Sequence, residues 1–221
     1  MSHSARAILF SFDFALADSS RVSAACINRA LTALDLPRVS MRQASGTVNL
    51  SLDETYHAIT GRSIPGEART FKKVFRECAL EVMVPLTDVF PYVLDMALAL
   101  KERDIKLAIV TRKERDLVLG VLQEAELSGI FDVIVGRDEL DRPKPDPTGI
   151  LVAMERLGVD AVDTIFVGDS TVDAEASQAA GVRFVGVLTG TTPEDDLVAY
   201  QPEAILHSVA DLPAWLDCSL S

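Results

Sequence analysis

From Val89 to Val187, short apolar runs alternate with amphipathic stretches of helical spacing, and few architectures accept that order. Lys106–Thr111, Val133–Val135, Thr164–Val167 and Arg183–Val187 read as strands. Val89–Arg103, Glu114–Ala125, Pro147–Leu157 and Val172–Ala180 read as helices. A strand that reaches its successor only through a helix joins a parallel sheet by a right-handed crossover, with helices on both faces. One more apolar run, residues 6–11, stands ahead of this series; it is uninterrupted, as in a strand buried on both sides. The pattern predicts an α/β fold around a doubly wound parallel sheet. Between that first strand and the rest, the chain carries helical periodicity alone. Val22, Ala25, Cys26, Ala30, Leu31 and Leu34 share one stripe, and Leu50–Ile59 and Glu67–Met83 read as two further helices. The expected organisation is an α/β core of residues 1–17 and 84–221, with a small all-helical insertion, 18–83, after the first strand.

Charge narrows the partners. The formal net charge is -12, which argues against a nucleic-acid backbone or an anionic membrane surface as the main ligand, since steering toward either needs positive potential. A small anion still fits, given a locally positive pocket. The three cysteines, Cys26, Cys78 and Cys218, are scattered and form no CxxC pair, as expected in a reducing cytoplasm. The apolar run before Asp13 is about six residues, too short for a signal sequence or a membrane span. A cytoplasmic protein is expected.

In doubly wound sheets ligands sit beyond the carboxyl ends of the strands, so the residues that follow each strand matter most. After the first comes Ser11-Phe12-Asp13-Phe14-Ala15-Leu16-Ala17-Asp18-Ser19. The second strand ends in Thr111-Arg112-Lys113, where a hydroxyl and two cations meet a loop. Alone, Thr111 reads as a β-branched residue ending a strand, and the two cations as helix-start residues. Arg142-Pro143-Lys144-Pro145-Asp146-Pro147 holds a lysine between prolines that deny helix, with Asp146 placed to cap the next helix. Thr164–Val167 leads into Gly168-Asp169-Ser170-Thr171-Val172-Asp173, two carboxylates four residues apart across a helix start. Carboxylates there can cap the helix and complement its dipole, but they also suit magnesium, which takes oxygen ligands and keeps several waters.

These four blocks, in this order, resemble the motifs of haloacid-dehalogenase-type phosphatases, in particular the phosphoglycolate-phosphatase-like branch. The resemblance implies a Rossmann-like core with a helical cap, a Mg2+ cofactor and a small phosphorylated metabolite as ligand. It assigns Asp13 to protonating the leaving group and assisting the metal. Thr111 and Lys144 are assigned to the phosphoryl oxygens, Asp169 to direct metal ligation, and Asp173 to support of the metal through water or a hydrogen bond; Arg112, beside Thr111, is counted with the phosphate-binding residues for its positive potential. Gly46-Thr47-Val48-Asn49-Leu50-Ser51 resembles the turn between cap helices in that branch, where specificity contacts are expected. His57 reads as a surface or packed residue, and His3 and His207 have no nearby partners in the sequence.

The first block departs from the family pattern of aspartate, any residue, aspartate, glycine, threonine. Ser11 stands where the attacking aspartate belongs, Phe14 replaces the glycine, and Ala15 replaces the threonine; Asp13, Leu16, Asp18 and Ser19 are kept. Phe14 is expected to put bulk where glycine lets the backbone pass close to phosphate. An aspartyl phosphate is a mixed anhydride that water cleaves, whereas a phosphoserine is an ordinary ester that would stall. The expectation is a phosphatase-like protein that binds its ligand and hydrolyses it very weakly. The alternative is an active hydrolase with an unorthodox nucleophile, reached by sliding the motif two residues so that Asp13 attacks, as in a phosphonatase-like enzyme.

Overall fold

The computed structural model describes residues 5–48 and 50–218, so His3 and Asn49 lie outside the described residues. The chain forms two compact units, Asp18–Asp88 and the remainder on either side of it. The larger unit is built on β1 (Ala7–Phe10), with two-residue strands β2 (Ala17–Asp18) and β3 (Asp88–Val89) at the points where the chain leaves it and returns. The smaller unit contains α1 (Ser20–Thr32), α2 (Met41–Ser45), α3 (Leu52–Thr60) and α4 (Pro65–Leu86). The larger unit then continues through α5 (Val93–Lys101), β4 (Lys106–Val110), α6 (Arg115–Glu124), β5 (Val133–Val135), α7 (Thr148–Leu157), β6 (Thr164–Gly168), α8 (Thr171–Ala180), β7 (Arg183–Val187), α9 (Glu194–Val198), β8 (Ala204–Leu206) and α10 (Leu212–Asp217).

Six strands form one sheet in the order β5-β4-β1-β6-β7-β8, every pair parallel. The doubly wound α/β sheet expected from the alternation is present, with β1 in its interior and all four β1 residues buried. The chain runs outward from β1 through β4 and β5, then returns to the other side of β1 for β6, β7 and β8. That reversal leaves the ends of β1, β4 and β6 side by side: Phe10 is in register with both Ile109 and Val167. Ala7, Leu9, Ala108, Val110, Phe166 and Phe184 form one core with Ile150, Met154 and Leu157 of α7 and Ala174 of α8. Fully burying a leucine- or phenylalanine-sized side chain contributes roughly 1.5–3 kcal/mol. This layer is the rigid base on which the strand-end loops stand.

In the smaller unit, Ile27, Ala30 and Leu31 of α1 pack with Ala44, Tyr56 and Phe71. Local chemistry sets its helix ends. Ser40 with Gln43 and Ser51 with Glu54 form capping boxes, each satisfying two otherwise orphaned donors. Asp18, kept in the first motif, accepts from the Ser20 amide at 2.8 Å and so holds the start of α1. α4 carries Pro65 at its first turn and Pro85 in its last, and runs to Leu86, three residues past the boundary that the periodicity suggests. A proline removes one amide donor, but the Thr87 amide still reaches the Met83 carbonyl at 3.1 Å and closes the turn.

One helix starts later than the sequence pattern indicates. Val89 belongs to β3, and α5 begins only at Val93, because Phe90–Tyr92 turn first, with the Val93 amide bonded to the Phe90 carbonyl. α2 and the edge strand β8 carry too few residues for periodicity to register, and the sequence pattern does not announce them.

Candidate active site

The residues singled out at strand ends lie in the larger unit, at the carboxyl edge of its sheet. Ser11 follows β1 directly, and its amide continues the ladder by donating to the Val167 carbonyl at 2.8 Å. Thr111 follows β4, with its amide on the Val135 carbonyl at 3.0 Å and its Oγ1 accepting from the Lys113 amide at 3.1 Å. Ser11 and Thr111 are both buried. Arg112 and Lys113 follow, half-buried, in the loop that leads to α6. Asp169 follows β6, and Ser170 caps α8 by accepting from the Asp173 amide at 3.3 Å.

Lys144 ties these loops together. Its segment is kept out of helix by prolines on both sides, and the Lys144–Pro145 peptide is cis. The ammonium donates to Asp173 Oδ1 at 2.6 Å and to Ser11 Oγ at 3.1 Å, and it lies 5.1 Å from the centre of the Phe166 ring. The lysine side chain is 4% exposed and the aspartate 3%. The second Asp173 oxygen accepts from Ser170 Oγ at 2.7 Å. A buried ion pair is tolerable only where its remaining hydrogen-bonding capacity is met, and here Ser11, Ser170 and the aromatic face meet it.

The sequence motif puts Asp173 with the metal-holding group. In the structure its two oxygens are engaged by Lys144 and Ser170, so its geometry fits the holding of the lysine. Among the described residues, no three His, Cys, Asp or Glu side chains gather closely enough to cage a metal ion. The donors that suit magnesium are Asp13 and Asp169. Asp13 Oδ1 is buried with no hydrogen-bond donor, facing Lys113 Nζ at 3.5 Å. A buried carboxylate oxygen in that state is matched to a cation, and magnesium needs only one or two carboxylates beside phosphate and water. In the sequence Lys113 reads as a helix-start residue or as added positive potential; its approach to Asp13 gives it a specific place.

Glycines make the room for these acids. A Cβ at Gly168 would lie 2.5 Å from Asp173 Oδ2, and one at Gly190 would overlap the Asp169 carboxylate. The segment carrying Gly190 also reaches back to the first loop, where Thr189 Oγ1 donates to the Phe14 carbonyl. Neither Gly190 nor Thr189 is legible in the sequence, because no motif surrounds them.

Phe14 does not obstruct the loop in the way its bulk suggests. Its φ is 57°, in the left-handed region, and the residue is 4% exposed. The backbone thus makes a turn that glycine would make without strain, with the Phe14 amide bonded to the Ala17 carbonyl at 2.7 Å. The ring is stowed in the protein, and the cost is backbone strain of about 1–2 kcal/mol.

Asp146 accepts from the Thr148 amide at 3.0 Å and caps α7, as expected, although Pro147 stands at the cap position and Thr148 begins the helix. In the smaller unit, His57 Nδ1 is 3.1 Å from Ser63 Oγ and 3.2 Å from the Arg62 carbonyl, an exposed local contact. His207 is exposed.

The parallel sheet with acid-bearing loops at its carboxyl edge has many relatives. Residues 8–187 match the family model described as haloacid dehalogenase-like hydrolase. The chain belongs to this family. It is 31% identical over 210 residues to the protein named "Probable phosphatase IndB" of Dickeya dadantii, covering 93% of this chain and 90% of that one. It is 30% identical over 228 residues to phosphoglycolate phosphatase of Escherichia coli K12, covering 94% and 90%. A solved haloacid dehalogenase-like structure from Bacteroides fragilis superposes with a TM-score of 0.87 at 31% identity, over 94% of this chain and 99% of that one. The chain is thus phosphatase-like in family and fold, and no helix among its described residues is long and apolar enough to cross a membrane.

Proposed function

We propose that this protein binds a small phosphorylated metabolite with Mg2+ at the carboxyl edge of the sheet, and that its hydrolysis of phosphomonoesters is strongly impaired. The observation that carries the proposal is the hydrogen bond from Lys144 Nζ to Ser11 Oγ. A lysine that donates to a hydroxyl while paired with a buried carboxylate is not a base for that hydroxyl. Ser11 is therefore a poor nucleophile, and any phosphoserine it formed would lack the good leaving group of an acyl phosphate.

In this proposal Thr111, Arg112 and Lys144 hold phosphoryl oxygens, Asp13 and Asp169 hold the magnesium ion, and Asp173 positions Lys144. When bound, the ion would supply charge neutralisation at the phosphoryl group. Giving a proton to a leaving alkoxide, the other role that the resemblance implies for Asp13, would need its carboxyl protonated and off the metal, and the attack on phosphorus that must precede that transfer has no competent group. The named phosphatases among the relatives support the ligand class, and phosphoglycolate is the first compound to try. A reducing cytoplasm is the proposed compartment, in keeping with three cysteines that form no disulfide.

The test is phosphate release with magnesium from a panel of small phosphomonoesters, comparing the unaltered protein with Ser11→Asp and Asp169→Ala. The unaltered protein is expected at background, because losing the group that attacks costs roughly 10⁴–10⁶-fold in well-studied hydrolases. Ser11→Asp is expected to gain activity. Turnover by the unaltered protein at roughly 1–10³ per second, abolished by Asp169→Ala, would overturn the proposal and move the nucleophile to Asp13.

A further inference from the structure

We infer that Ser11 lowers the dependence of this site on a divalent cation for holding phosphate-class anions. The inference rests on the proposed phosphate-binding role and concerns what the serine does to it.

An aspartate at position 11 would be an acceptor only, with a negative charge facing an incoming phosphate. Repulsion of that kind is what a bound divalent cation offsets. Ser11 removes the charge and changes the direction of the hydrogen bond. One Oγ lone pair is already used by the Lys144 ammonium at 3.1 Å, so the hydroxyl proton is left for a ligand oxygen. Thr111 is placed alike, since its Oγ1 accepts from the Lys113 amide and its proton is also left to donate. Two buried hydroxyls at adjacent strand ends thus become donors directed by the groups behind them.

The charge count agrees. Lys144 is matched by Asp173 at 2.6 Å, and Lys113 faces Asp13 at 3.5 Å. Asp169 follows β6 and adds one negative charge. These five residues sum to -1, where an aspartate at position 11 would make the total -2. A fixed ammonium and two hydroxyl donors favour a dianion, and the further carboxylate that an aspartate would add opposes it.

The experiment is isothermal titration of the full chain with inorganic phosphate, once with EDTA and once with excess magnesium. It is repeated on Ser11→Asp and Ser11→Ala, with thermal melts to confirm folding. The unaltered protein is expected to bind in EDTA with an affinity within about 10-fold of that in magnesium, since the site lacks the carboxylate at position 11 that a cation would offset. Ser11→Asp in EDTA is expected to be weaker by on the order of 100-fold, and magnesium should restore much of the loss. Ser11→Ala, which restores no charge but removes the donor, is expected to bind about 10-fold more weakly in EDTA than the unaltered protein. Binding by the unaltered protein only with magnesium would overturn the inference and leave the phosphate-binding role standing. Equal affinities of Ser11→Ala and the unaltered protein in EDTA would also overturn it, because the serine would then not be the donor. Absence of binding by folded protein in both conditions would overturn the phosphate-binding role itself.

Discussion

The loops after β1 and β6 occupy neighbouring strand ends and solve opposite problems. The β6 loop has its carboxylates, and space is cleared for them: Gly168 leaves room for Asp173, and Gly190, after β7, leaves room for Asp169. The β1 loop carries Ser11 in place of the family's first carboxylate and Phe14 in place of its glycine, yet Phe14 still adopts a left-handed φ of 57°. The β1 loop thus takes a glycine-like turn at a residue that is not glycine. That shape is held by the Val167 carbonyl, by the Ala17 carbonyl and by Thr189, so it does not depend on the residue types at the loop's centre.

The sharpest way to break the comparison is to remove the group that joins the two loops. Lys144→Met should destabilise the fold by about 3–5 kcal/mol in urea denaturation, because Asp173 would be left buried without its counter-charge. Adding Asp173→Asn should recover part of that loss; no recovery would mean that Lys144 matters through packing alone.

Phe14→Gly tests whether the β1 loop prefers the family's glycine. Relief of left-handed strain returns about 1–2 kcal/mol, but truncating a buried phenylalanine costs about 3–5 kcal/mol. The expected net result is a loss of roughly 2 kcal/mol, from the difference of those terms. A gain in stability would show that strain dominates.

Gly168→Ala is the mirror experiment at β6. The added Cβ meets the Cβ and Cγ of Asp173 at 2.6 Å, and those atoms are the fixed base of a buried side chain, not the end of a mobile one. Overpacking of this kind costs about 1–3 kcal/mol. An unchanged melting temperature would mean that the β6 loop is as forgiving of substitution as the β1 loop.

The smallest expected effect comes from an ion pair nearer the surface. Burial raises the Asp132 carboxyl, but the Lys101 ammonium and the Leu107 amide outweigh it and hold the group below its ordinary value. A carboxyl depressed in the folded state contributes stability above its unfolded pKa of about 3.9, and that stability is lost as the pH falls through the folded value. Asp132→Asn should cost about 0–1 kcal/mol at neutral pH, given the exposure and screening of the pair, and should flatten the loss of stability below about pH 4. The same acid profile in variant and parent would show that Asp132 makes no contribution there.

The sheet and its ligand-bearing edge are legible in the residues because they rest on local signals: apolar runs of strand length, helical stripes between them, and polar motifs directly after the strands. Those signals mark Ser11, Asp13, Thr111, Lys144, Asp169 and Asp173 as candidates, but not the relations among them. Lys144 lies 133 residues from Ser11 and 29 from Asp173 in the chain, yet bonds to both. Partnerships over such distances are made by sheet order and register, which bring the ends of β1, β4 and β6 together. The engagement of Asp173 by the lysine, the approach of Lys113 to Asp13, and the space that Gly190 leaves for Asp169 are decided there. So is the left-handed turn at Phe14, since no intrinsic preference of phenylalanine selects it and only surrounding hydrogen bonds and burial hold it.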